Sequence, residues 1–224
     1  MKELKNLLVS HGADLVGFAN LNGLSIDNEL SFGISVGVKL SPELINSIVN
    51  GPNLFYFNEY HRINNLLNKI VTIGTEYLIE NGFKAFAQTT TNVNHSVDYT
   101  TQLPHKTVAT RAGLGWIGKC GLLVTNEYGS GIRISSFLTN AKLDCGEPIE
   151  ISSCKDCMEC VNNCPANAIT GNLWNVDVKR PELIDVHKCY KKAREISMEK
   201  ISKEITLCGK CFIVCPHTIH YIKR

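Results

Sequence analysis

Apolar positions in the first half of the chain alternate between helical and strand spacing. Residues 2–11 carry the helical pattern and stop at Gly12, a residue able to take the left-handed cap conformation. Residues 15–18 and 33–38 read as short buried strands. Ser41-Pro42-Glu43 is a helix start, with a serine able to accept backbone N–H bonds and a proline where no donor is missed, and Gly51-Pro52 ends that helix. The clearest helix is predicted over 59–80, where Ile63, Leu66, Leu67, Ile70, Val71, Ile73, Tyr77 and Leu78 recur at helical spacing, and it is expected to lie across the back of a sheet. Residues 84–90, 121–125 and 132–138 read as further strands, and 106–112 as a short helix. Alternating elements of this kind predict an α/β or α+β layer.

After about residue 147 this pattern gives way to cysteines, asparagines and short apolar pieces, so a domain boundary is expected there, between 1–147 and 148–224. Ten cysteines in a short secreted chain would point to disulfides, but eight of these ten follow residue 150, in a chain of 224 residues. Seven of the eight lie in two tight groups, each closed by proline: Cys154-x2-Cys157-x2-Cys160-x3-Cys164-Pro165 and Cys208-x2-Cys211-x3-Cys215-Pro216. The first is the complete ligand run of bacterial two-cluster ferredoxins, in which the fourth cysteine serves the other cluster. The second set needs one more ligand on its N-terminal side, and Cys189 is the only cysteine between Cys164 and Cys208. The crossed rule therefore predicts two [4Fe–4S] clusters, one on Cys154, Cys157, Cys160 and Cys215, the other on Cys164, Cys189, Cys208 and Cys211. Paired C-x2-C spacings also build zinc sites, but zinc leaves the repeated C-x3-C-P ending without a purpose. The proline is expected to keep the chain from winding back onto the sulfurs.

Several function classes fall away. No stretch approaches the roughly 18 uninterrupted apolar residues of a membrane span, and the N-terminus has no apolar leader core, so a soluble, cytoplasmic protein is expected. A net charge of +2 gives the whole molecule no strong field for nucleic acid. Lys188, Lys191, Lys192 and Arg194 form a local basic run, a solvated face or a partner patch, and Lys191, Lys192 and Arg194, with Glu195 and Glu199, are expected on an exposed helix between Cys189 and Cys208. Cys145 reads as a free thiol, and Cys120 as a small buried hydrophobe or a thiol facing a pocket.

Arg111-Ala-Gly113-Leu-Gly115-Trp116-Ile-Gly118-Lys119 formally contains G-x-G-x-x-G. A dinucleotide fingerprint follows a strand and opens a helix, whereas here a helix precedes and a strand follows, which argues against NAD. The glycines instead suit close backbone approach to a flat or phosphate-bearing ligand. The stretch from Ala109 to Lys119, with Leu122-Leu-Val124, Gly129-Ser130 and the cysteine order, resembles the epoxyqueuosine reductase family, which is related to the reductive dehalogenases. Residues 13–18 and Tyr60-His61-Arg62 are similar to that family as well.

The resemblance implies a nitroreductase-like, corrinoid-binding domain followed by a two-[4Fe–4S] ferredoxin-like domain. It implies an oxidoreductase in which electrons from an external ferredoxin or flavodoxin pass through the clusters to cobalamin, with FMN as the other cofactor that such a fold binds. Gly113, Gly115, Trp116, Gly118, Lys119 and His105 are the residues it places at the cofactor. The family's Asp-Ser/Thr-x-Pro proton-donor segment corresponds to His95-Ser-Val-Asp98-Tyr99-Thr-Thr-Gln-Leu-Pro104. There Tyr99 holds the donor position without a gap and Asp98 with one. Cys120 replaces an asparagine of the family, and the sequence ends at Arg224, where relatives continue into a segment that holds tRNA. A short form is therefore expected. Its substrate would be a small molecule or a tRNA nucleoside, or it would be a non-catalytic electron carrier or activator serving a corrinoid partner.

Overall fold

The computed structural model describes residues 2–24, 29–89, 99 and 101–224. Helix α1 (Lys2–Ser10) leads through Gly12, at φ +103°, into strand β1 (Leu15–Asn20), followed by β2 (Phe32–Lys39). Helix α2 (Pro42–Ser47) begins as its sequence dictates, Ser41 Oγ accepting from the Leu44 N–H at 3.2 Å. Helix α3 (Leu54–Glu80) starts five residues earlier than the periodicity implies, because Asn53 Oδ1 accepts the Tyr56 N–H at 2.8 Å and caps an aromatic-rich first turn. Strand β3 (Ala85–Ala87), helix α4 (His105–Arg111), strands β4 (Trp116–Ile117), β5 (Leu123–Val124) and β6 (Ile132–Thr139) follow. Beyond them lie the helices α5 (Glu159–Asn162), α6 (Arg180–Leu183), α7 (Val186–Ile201), α8 (Lys210–Ile213) and α9 (Pro216–Ile222).

These elements form two compact units that interleave along the chain. The first comprises residues 1–39, 62–115 and 133–149, the second residues 40–61, 116–132 and 150–224.

In the first unit a four-stranded sheet runs in the order β1-β2-β6-β3, with β1–β2 and β3–β6 antiparallel. Successive residues of a strand face opposite ways, and Phe137 and Leu138 of β6 show what each face meets. Leu138 joins Ala19, Leu21, Leu103, Val108 and Ala112 in a core on the α4 side. Phe137, fully buried, presses on α3 so closely that a Cβ at Gly74 would overlap its ring and stand 2.9 Å from Leu8 Cδ2 of α1. The long helix does lie on the sheet, and burying Phe137 there contributes about 1.5–3 kcal/mol. The unit is thus a layered α/β arrangement.

The second unit collects the cysteine segments around a β4–β5 hairpin whose register pairs Trp116 with Val124 and Ile117 with Leu123. Tyr221 Oη donates to Leu40 O at 2.9 Å, the Ser130 N–H to Thr218 Oγ1 at 3.0 Å, and the Tyr56 and Phe212 rings meet edge to face at 6.2 Å. The segments 40–61 and 116–132 are thereby tied to the C-terminal region. Helix α7 begins before Cys189 rather than after it, since Asp185 Oδ1 caps its N-terminus through the Lys188 N–H at 3.0 Å. Its basic side chains are largely paired: Lys188 with Asp185 at 3.3 Å, Lys192 with Glu195 at 2.7 Å, and Arg194 with Glu204.

Candidate functional site

The two cysteine repeats place equivalent residues on two short helices packed against each other, Cys160 on α5 and Cys211 on α8. Around them, within the second unit, is a cavity of about 100 Å³ lined by Cys154, Cys157, Cys160, Cys211 and Cys215, with Gly118, Lys119, Cys120, Val124, Pro216 and His217 completing the wall. One water needs about 10–15 Å³ on this scale, so the space accepts a body several times larger than a single ion. Five sulfurs around such a volume suit a polynuclear iron–sulfur centre, for which thiolate is the usual donor.

Local structure explains how the sulfurs come to face one space. Cys215 stands just before α9 and Pro216 occupies its first position, where a missing N–H costs nothing. Pro216 therefore opens a helix rather than only turning the chain away from the sulfurs. The backbone N–H groups of Thr218 and His217 in that first turn favour the Cys215 thiolate, but burial outweighs them and its thiol is pushed up. Gly118 and Gly121 close the turn of the β4–β5 hairpin, the Gly121 N–H donating to Gly118 O at 2.8 Å. A Cβ at Gly118 would stand 2.9 Å from Val124 Cγ2 and in ordinary contact, at 3.6 Å, with Cys120 Sγ and Cys154 Sγ, so packing against Val124 favours glycine here and the hairpin backbone lies beside the thiols.

Cys164, Cys189 and Cys208 gather apart from that cavity. Burial pushes the Cys189 thiol up, and the nearby Cys164 and Cys208 add to the effect. Burial likewise raises Cys208, with Cys164 contributing. The Ala168 N–H points at Cys164 Sγ over 3.4 Å, and the Arg180 guanidinium lies close enough to Cys189 to be felt by it. Free thiolates are costly in such places, a cost that binding to iron offsets.

Cys120 is only 6% exposed and lines the cavity as a sixth thiol, outside the two cysteine repeats. It is both buried and facing a pocket. Its contact with Cys160 favours the thiolate, yet the contact with Cys211 and burial outweigh this and hold Cys120 as a thiol. The same contact with Cys120, followed by burial, pushes Cys160 far up.

The residues expected at an organic cofactor divide between the units. His105, Gly113 and Gly115 lie in the first, Trp116, Gly118 and Lys119 in the second. His105 Nδ1 is 2.8 Å from Ser136 Oγ, and Gln88, whose Nε2 donates to Leu103 O at 3.1 Å, extends this buried polar group. Gly113 is at φ +72°, and a Cβ there would come within 2.7 Å of Glu147 O, so packing inside the unit accounts for this glycine. Trp116 is buried edge-on to the His217 ring, centroids 4.9 Å apart, and among the described residues its Nε1 has no hydrogen-bond partner. Tyr99 has φ +54° and is 37% exposed. Asp98 and His95 lie outside the described residues. Sequence reading did not anticipate Met158, whose Sδ sits 3.3 Å from Lys119 Nζ, or His217.

Residues 153–218, which include all eight clustered cysteines, match the family model described as a 4Fe-4S double cluster binding domain. An epoxyqueuosine reductase of Lactococcus garvieae is 36% identical over 110 residues, 49% of this chain and 30% of that protein. One from Listeria monocytogenes is 32% identical over 128 residues, 54% of this chain and 32% of that protein. Over about half of its length, the chain is similar to epoxyqueuosine reductases. It matches only about a third of the length of these curated relatives. Among solved structures, an epoxyqueuosine reductase with an epoxyqueuosine-modified tRNA-Tyr stem loop superposes with a TM-score of 0.64 at 18% identity, over 97% of this chain and 65% of the other. A catabolic reductive dehalogenase gives 0.74 at 19%, over 98% and 32%. The chain thus shares its fold with both groups, as a mixed α/β chain with a match to a double-cluster domain toward residue 218.

Proposed function

We propose that this chain is a corrinoid-dependent iron–sulfur reductase, taking electrons singly from an external low-potential ferredoxin or flavodoxin. The observation that carries the reading is the cavity in which Cys154, Cys157, Cys160, Cys211 and Cys215 converge, with Cys164, Cys189 and Cys208 close to one another outside its wall. That division supports the crossed ligand sets for seven of the eight cysteines, and the sequence pattern alone assigns Cys211 to the second set. When bound, the two [4Fe–4S] clusters supply one-electron transfer, and a cobalamin supplies the reducing centre for the substrate. The residues of this chain hold those groups and exclude water. The thiols fix the clusters, the hairpin backbone at Gly118 lies beside them, and His217 lines the same cavity with Trp116 edge-on against it. Asp98 or Tyr99 is the proposed proton donor.

Cobalamin is supported by likeness to a reductive dehalogenase whose structure is described as suggesting a B12-dependent mechanism. Epoxyqueuosine in tRNA is the first substrate to try, since the relatives at 36% and 32% identity are named for it. The test is anaerobic: the iron-loaded protein is mixed with cob(II)alamin and titrated with dithionite while the visible spectrum is followed. Cobalamin that co-elutes with the protein and is reduced on it supports the reading. An unchanged cobalamin spectrum with no co-elution defeats it and leaves an electron carrier serving a partner protein.

A further inference from the structure

Lys119 is 5% exposed, one of the most deeply buried charged side chains described in the chain. Its ammonium forms a 3.3 Å contact with the thioether sulfur of Met158, and among the described residues no carboxylate lies within 4.0 Å of it. Taking a lysine charge out of water without an anionic partner costs several kcal/mol. The cavity that Lys119 lines contains no acidic side chain, only five cysteines of the two repeats together with Cys120. Lys119 shares that wall with the cysteines, so an anionic centre held on their sulfurs is placed to balance the buried charge. A [4Fe–4S] centre with four cysteine thiolates is anionic in both of its working states and gains one further negative charge on reduction.

We propose that Lys119 is the built-in counter-charge of the cluster held by Cys154, Cys157, Cys160 and Cys215, and that it raises the reduction potential of that cluster relative to the other. The inference rests on the two-cluster reading. It gives Lys119 a partner in the iron–sulfur centre rather than in an organic cofactor. A fixed positive charge in a low-dielectric wall attracts the reduced state more strongly than the oxidised one, because the reduced state carries one more electron and takes up no proton. Net charge around a cluster is among the features that set its potential. The flexible thioether of Met158 fits this role, since it packs against the ammonium without neutralising it.

The experiment uses the anaerobically purified, iron-loaded protein and its Lys119→Met, Lys119→Gln and Lys119→Arg variants. Iron and labile sulfide are counted first, then dithionite titrations are followed by electron paramagnetic resonance. At a fixed potential the reduced-to-oxidised ratio of one cluster is expected to fall about tenfold in Lys119→Met and Lys119→Gln, equivalent to about 59 mV for a one-electron couple. The other cluster should stay in place, and Lys119→Arg should remain near wild type. Loss of one cluster in both charge-removing variants, with retention in Lys119→Arg, also supports the proposal. Full iron content with unchanged potentials in both neutral variants overturns it, as does cluster loss in all three. A wild-type protein without iron and sulfide fails the two-cluster reading itself, before any variant is compared.

Discussion

Replacing Gly129 by alanine strikes the contact that seats Cys215. Gly129 lies in the turn between β5 and β6 at φ +55°, and a Cβ there would stand 2.6 Å from His217 C and from Thr218 Cα, and closer still to Thr218 N. Those atoms are backbone of the first turn of α9, directly after Cys215, so no flexible side chain can move aside. The left-handed conformation costs an alanine about 1–2 kcal/mol, and forcing the two backbones apart costs about 1–3 kcal/mol more. Gly23→Ala is the control: it has φ +85° and nothing within 4 Å of its Cβ, so it pays the conformational cost alone. The predicted difference between the variants is about 2 kcal/mol, close to 1 M in urea midpoint for a slope of roughly 2 kcal/mol/M. Anaerobic urea titrations followed by circular dichroism measure it, and iron content should fall in Gly129→Ala but not in Gly23→Ala. Equal midpoints and equal iron in the two variants would refute the close approach of the turn to α9.

Gly74→Ala gains about 1 kcal/mol of helix propensity but must displace the Phe137 ring, at about 1–3 kcal/mol, so a net loss of up to about 2 kcal/mol is expected in the same titration. Combining it with Phe137→Leu should restore part of that loss, and strict additivity would contradict the packing of α3 on β6. Cys189→Ser should lower iron from about eight to about four per chain, leaving the resonance of the remaining cluster intact. Retention of both clusters would remove Cys189 from the ligand set.

Most elements before residue 81 were legible because each has a local cause: a cap at Ser41, a left-handed glycine at 12, helical spacing from Ile63 to Leu78. The starts of α3 and α7 were not, since Asn53 and Asp185 cap them ahead of the apolar pattern and of Cys189. The cysteine runs were legible because ligand spacing is a covalent constraint on a cluster of fixed size. Composition marks the change near residue 147, yet the second unit also recruits 40–61 and 116–132, whose apolar residues carry no sign of which core they join. For the same reason Lys119 and Cys120 read as part of a glycine-rich block: only the fold shows that the hairpin turn carries them into the cysteine cavity.

The proposed function stands on two [4Fe–4S] clusters held by Cys154, Cys157, Cys160, Cys164, Cys189, Cys208, Cys211 and Cys215. Determination of iron, zinc and acid-labile sulfide in protein purified without oxygen tests it most directly. The account predicts about eight iron and about eight sulfide per chain; zinc with no labile sulfide would contradict it.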